Sequence, residues 1–116
     1  MADTAGLKAA VRRAILEGRG RASVDERRRA YDGEGAPGAV ASYVAKVRDH
    51  AYKIVDDDVA ALRAAGLDDD RIFELTVATA VGKASRQFDA AVAALDEAVA
   101  ARAGADAAVD PGKGVA

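Results

Sequence analysis

The stretch from Asp56 to Val81, DDDVAALRAAGLDDDRIFELTVATAV, admits few folds. Val59, Leu62 and Ala65 recur at three-residue intervals, the apolar stripe of a helix. Gly66 follows at once, and a glycine there closes a helix in the left-handed conformation without a Cβ clash. Asp68 is a good N-cap for a second helix, because its carboxylate accepts from orphan backbone N–H groups. Asp69 and Asp70 then fall in the first turn, where negative charge meets the positive end of the helix dipole. Leu67 and Ile72 flank the cap as a hydrophobic staple. These signals agree on a helix–turn–helix corner at Gly66, and agreement between independent local signals is itself evidence. The acidic triplets are read as caps, not a metal site. Consecutive aspartates on a helix point about 100° apart and do not converge on one ion.

The rest of the chain extends this corner on both sides. Its 116 residues suffice for one domain with a real core. Aromatic residues are scarce and alanine abundant, so that core must be packed from small side chains. With 2 prolines and no strand-type alternation, an all-α domain follows. Leu7, Val11, Ala14 and Ile15 predict a helix from about Gly6 to Glu17. Ser23 and Glu26 fit a capping box and predict a short helix from Val24 to Tyr31. Val40, Tyr43, Val44, Val47, Ala51, Ile54 and Val55 predict one from about Ala39 to Val55. A short helix from about Asp57 to Ala65, with Asp56 as its cap, leads into the corner.

Beyond the corner, Phe73, Val77, Val81, Ala84, Phe88, Val92, Leu95 and Val99 advance in steps of four and three. A second row, Ile72, Leu75, Thr76 and Thr79, widens the apolar face. One helix from Asp69 to about Arg102 would span on the order of 50 Å, against roughly 27 Å for twice the radius of gyration of a compact chain of this size. Either it divides near Gly82 or part of it packs on another subunit. The domain organisation expected is a basic N-terminal helix and loose linker at 1–38, a helical domain at 39–103 and a disordered tail at 104–116.

Charge is unevenly placed. Residues 1–31 carry 8 Lys/Arg against 4 Asp/Glu, while residues 32–116 carry 9 against 15. Arg27, Arg28 and Arg29 are therefore a candidate anion or nucleic-acid patch. Only Tyr31 lies near them, which argues against a base-stacking platform. The alternative is a solvated basic segment that pairs with the acidic remainder, on this or a neighbouring subunit. The Gly-x-Gly at 18–20 follows no strand and is no dinucleotide fingerprint. Cysteine is absent, which removes disulfides, thiolate metal sites and thiol chemistry. No apolar run reaches the ~20 residues of a membrane span, and no signal peptide is recognisable, so a cytoplasmic protein without cofactor or metal is expected.

Between Tyr43 and Leu95, and most tellingly in ALRAAGLDDDRIFELTVATA, the sequence resembles the AhpD-like / carboxymuconolactone decarboxylase family. Members carry a helix ending in Ala-Gly-Leu, an acidic cap and an Ile-x-x-Leu helix rich in small residues. The resemblance implies an all-α subunit in a trimer or hexamer, with helices shared or intertwined across interfaces. The redox branch uses Glu, Cys-x-x-Cys and His just ahead of the corner. Counted back from Gly66, the cysteine positions fall on Ala51 and Ile54 and the histidine on Asp58. Counted from His50, the cysteines fall on Tyr43 and Lys46. Neither offers a thiolate, so peroxidase and disulfide reductase chemistry are excluded. The decarboxylase branch implies a proton donor or acceptor in a pocket, for which His50, Tyr52 and Lys53 are the compact candidate set.

Three functional expectations follow, in order. The first is a non-redox, oligomeric helical binding or scaffold module that receives a protein partner or a small metabolite. The second is a cofactor-free decarboxylase or lactone-processing enzyme with His50 as general acid/base, Tyr52 as hydrogen-bond donor and Lys53 attracting a carboxylate. The third is anion or nucleic-acid binding through Arg19 to Arg29.

Overall fold

A computed structural model describes residues 4–108 of the chain. Among them the fold is all-helical: α1 (Thr4–Glu17), α2 (Val24–Tyr31), α3 (Ala39–His50), a 3₁₀ turn (Ala51–Lys53), α4 (Asp56–Ala64) and α5 (Asp69–Ala108). The chain divides into two compact units, Met1–Ala84 and Ser85–Ala116. Of the disordered tail expected at 104–116, residues 104–108 instead continue α5, and the residues from 109 on lie outside the described residues.

Each start and stop in the first unit has a local cause. The Ser23 hydroxyl accepts the Glu26 N–H at 3.1 Å, and the Glu26 carboxylate accepts the Ser23 N–H at 3.2 Å, a complete capping box for α2. Helix α3 ends at His50, five residues before the apolar spacing does, because His50 leaves helical geometry (φ −146°, ψ 49°). The chain then makes the 3₁₀ turn and runs extended through Val55, whose N–H donates to Asp58 Oδ2 at 2.8 Å. Asp58, not Asp56, therefore holds the entry to α4. At its far end the Gly66 N–H bonds Arg63 O at 2.9 Å and the Leu67 N–H bonds Leu62 O at 3.1 Å. This pairing needs the positive φ of 95° that Gly66 supplies. Asp68 Oδ1 then accepts the Arg71 N–H at 2.8 Å and caps α5.

The core of this unit is built from small and medium side chains. Leu16, Ala22, Ala30 and Tyr31 enter from α1, α2 and the loop between them; Tyr43, Val44 and Val47 from α3; Leu62 and Leu67 from α4 and the corner; Ile72, Leu75 and Ala78 from α5. The α5 face that docks is Ile72, Leu75, Ala78, Thr79 and Gly82, all buried, while Phe73 on the other row is 69% exposed. Small residues toward Gly82 allow a close approach: a Cβ on Gly82 would sit 2.7 Å from the carbonyl carbon of Tyr31. Thr79 and Thr76 satisfy their hydroxyls on Leu75 O and Ile72 O, at 2.7 and 2.6 Å. With the single Thr76 proton so used, Tyr43 donates its own hydroxyl proton to Thr76 Oγ1 at 2.7 Å and joins α3 to α5.

The stretch from 18 to 38 is tied to this core by two charged side chains. Glu74 accepts the N–H groups of Arg21 and Ala22 at 2.8 and 2.6 Å. Arg27, only 6% exposed, donates to Ile15 O, Gly18 O and Ser23 O. Two of those carbonyls belong to the end of α1, where helix geometry leaves acceptors without partners. In the second unit, the α5 residues Leu95 and Val99 are 62% and 59% exposed.

Candidate functional site

The 3₁₀ turn after α3 decides where the histidine cluster stands. Winding tightly, it brings the His50 and Tyr52 rings to 6.1 Å and the Lys53 ammonium to 5.8 Å from the Tyr52 ring centre. His50 and Lys53 line an open hollow of about 330 Å³ with Ser42, Ala45, Lys46, Asp49 and Asp58. Tyr52 is not part of its lining and is 81% exposed. Most charge in the hollow is already matched. Lys46 grips both Asp58 oxygens at 3.0 and 2.9 Å, and Asp49 is held by Arg48 at 2.7 Å with Lys83 at 3.7 Å. The hydrogen bond from Lys46, with that from the Val55 N–H, holds the Asp58 carboxyl below its usual range. The His50 ring receives no orienting hydrogen bond among the described residues. A general base normally needs one to fix its tautomer and aim.

The three consecutive arginines do not form one patch. Arg28 and Arg29 are exposed, whereas Arg27 is turned inward and spends its donors on backbone carbonyls. The Asp68–Asp70 triplet acts locally: Asp68 caps α5 and Asp69 pairs with Arg63 at 2.9 Å.

A second hollow, also about 330 Å³, has a different composition. It opens between α2, the 34–37 turn, the start of α3 and the α4–α5 corner. Its apolar wall is Ala30, Pro37, Val40, Leu67 and Leu75; its charged rim is Glu26, Arg29, Glu34 and Arg71. Apolar lining with a few convergent polar groups, at this size, is the usual constitution of a small-molecule site. Arg71 is one of its lining residues. The Nη2 group donates to Glu26 Oε2 at 2.8 Å, while Nε is buried and meets no acceptor among the described residues. Burial works against the Glu26 charge, but bonds from Arg71 and from the Ser23 N–H outweigh it, and the carboxyl sits below its usual range. The Glu26 hydrogen bond correspondingly raises Arg71.

No family model matches the chain, and no curated protein and no solved structure matches it either. The cleft around Arg71 was not singled out by sequence reasoning, although Arg29 and Glu26 were noted for other roles. One signal did point to it. Arg71 lies in the first turn of α5, where the helix dipole disfavours a cation. A charge on the wrong end of a helix asks for a tertiary partner, and here that partner is Glu26 of α2, 45 residues away.

Proposed function

We propose that this chain is a non-redox helical binding module of the AhpD-like / carboxymuconolactone decarboxylase type, working as an oligomer, with the cleft around Arg71 as its binding site. The observation that carries the reading is the cleft itself: an apolar wall of Leu67, Leu75, Ala30 and Val40 beside a guanidinium with a buried, unmatched donor. An unmet buried donor costs about 1–3 kcal/mol, and a bound acceptor would recover that cost. The His50 hollow is poorer for chemistry, because Lys46 neutralises Asp58, Arg48 holds Asp49, and its imidazole lacks an orienting partner. The family resemblance rests on the Ala-Gly-Leu corner and its acidic cap. The oligomer rests on the exposed Leu95 and Val99 of α5, apolar side chains that gain by being covered.

Small-fragment mapping by methyl NMR on the full chain tests the site. Fragments are expected to shift Leu67, Leu75 and Val40 before any residue near His50. Fragments gathering only around His50 and Lys53 would overturn the reading in favour of the catalytic one. Turnover of a lactone-acid panel, lost in His50→Ala, would then be the decisive assay. Native mass spectrometry tests the assembly: a trimer or hexamer is expected, and a monomer at all concentrations would remove the oligomer from the proposal.

A further inference from the structure

From the geometry of the same cleft we infer its ligand class: a small amphipathic monocarboxylate, held by Arg71 and Arg29 with its hydrocarbon part on Leu67, Leu75, Ala30 and Val40. The inference rests on the cleft being the binding site and adds the chemistry of what enters it.

Three observations lead there. The first is the geometry of the Arg71–Glu26 pair. A carboxylate matches a guanidinium best side-on, with two oxygens facing Nε and one Nη. Glu26 does not do this in the structure: its Oε1 accepts the Ser23 N–H in the α2 capping box. Only Oε2 reaches Arg71, at Nη2, and Nε is left over. The Arg71 edge therefore lacks one carboxylate oxygen, which Glu26, turned toward the cap of α2, does not supply.

The second is the charge balance of the rim. Glu26 is paired with Arg71. Glu34 lies in the field of Arg48, which is itself paired with Asp49 and whose Nη1 holds Gly33 O at 2.6 Å at the base of the same turn. Arg29 lines the cleft and forms no ion pair or side-chain hydrogen bond among the described residues. The Arg29 guanidinium is thus open to an acceptor group on a ligand, as is Arg71 Nε, and two such donors in one cleft suit a carboxylate and disfavour a cation.

The third is the wall. Leu67 and Leu75 belong to the core and are fixed by the α4–α5 corner, so the apolar surface is pre-formed. A carboxylate without a hydrocarbon part would leave that surface to water; a hydrocarbon without a carboxylate would leave Nε and Arg29 unmatched. A short-chain or aromatic monocarboxylate satisfies both. One oxygen goes to Arg71 Nε on a small swing of the one-third-exposed side chain, the other toward Arg29.

The test is a methyl-NMR titration of the full chain with hexanoate, hexanol and hexylamine. Hexanoate should give saturable millimolar shifts at Leu67, Leu75 and Val40, and hexanol should bind about tenfold more weakly, the size of a charge-assisted bond lost. Arg29→Gln, an exposed position whose replacement does not threaten folding, should weaken hexanoate several-fold and leave hexanol unchanged. Arg71→Lys should weaken it further, since lysine cannot present a two-donor edge. Hexanol or hexylamine shifting the same methyls as tightly as hexanoate would overturn the ligand class while leaving the cleft as the site. None of the three shifting those methyls would overturn both.

Discussion

Replacing Gly82 by alanine sets two physical effects against each other. Gly82 lies within α5, and in a helix interior Gly→Ala stabilises by about 1 kcal/mol through backbone entropy. Packing says the opposite. The new Cβ would press into the Tyr31 carbonyl oxygen and stand 2.7 Å from its carbon and 2.9 Å from the Tyr31 Cα. Carbon atoms in contact rest at about 3.5–4.0 Å, so a gap on the order of 1 Å must open between α5 and the end of α2. All the obstructing atoms are backbone, and no rotamer change relieves them. Ala30 and Tyr31, both buried, would move with that backbone. Overpacking of this kind costs about 1–3 kcal/mol. The upper end applies here because the obstacle is main chain, and the net after the propensity gain is roughly 2 kcal/mol of destabilisation. At about 4–8 °C per kcal/mol for a unit of this size, Tm should fall by roughly 8–16 °C. Thermal and urea unfolding followed by circular dichroism at the helix band would read it. Gly104→Ala is the control: it is also in α5, with no atom near its added Cβ, and should be neutral or slightly stabilising. If Gly82→Ala matched or exceeded the wild type in stability, the close approach of α2 to α5 would be wrong.

Other consequences concern the charged ties. Glu74→Ala removes the carboxylate that accepts the Arg21 and Ala22 N–H groups and should cost roughly 3 kcal/mol in urea unfolding. Amide exchange should accelerate at Arg21 and Ala22 first; a stability loss without that local exchange would mean the loop is held by something else. Arg27→Met keeps volume but strands Ile15 O and Gly18 O, and should cost about 2–4 kcal/mol. Its retention on heparin should stay close to wild type, whereas a clear loss there would place Arg27 in a surface patch. Acid should weaken the fold through Glu26 and Asp58. Both carboxyls are held below their usual values in the folded chain, so the stability they lend is complete above about pH 5 and fades as pH falls through their lower folded values. Stability measured against pH should therefore fall less steeply in Asp58→Asn than in the wild type; an unchanged slope would remove Asp58 from the acid response.

Local chemistry explains why some of this was legible in the sequence. The capping box of α2 and the Gly66–Asp68 corner rest on residues a few positions apart, and their hydrogen bonds are those the spacing calls for. All-α content followed from periodicity alone. The end of α3 was not legible: apolar residues continue to Val55, and only the carboxylate of Asp58, reaching back to the Val55 N–H, shows why the chain runs extended there. Nor did the sequence rank the two apolar rows of α5. Phe73 carries the larger side chain, yet Ile72 and Leu75 are the buried ones, because the face they share with Ala78, Thr79 and Gly82 is the one flat enough for α2 to approach.

The arginines make the general point. In composition Arg27, Arg28, Arg29 and Arg71 are equivalent positive charges, and a run of three invites the reading of an anion patch. In the fold their roles are set by which orphan acceptors lie within reach. The end of α1 leaves carbonyls without partners, and Arg27 is the long donor that closes them. The capping box of α2 occupies one Glu26 oxygen and leaves Arg71 half-matched. Arg29, one turn from that box, stays unpaired beside the cleft. A helix cap and a candidate ligand site are thus coupled through one carboxylate. Ser23→Ala would remove the hydroxyl that accepts the Glu26 N–H but leave the backbone N–H of residue 23 on Oε1, so the vacancy at Arg71 should persist.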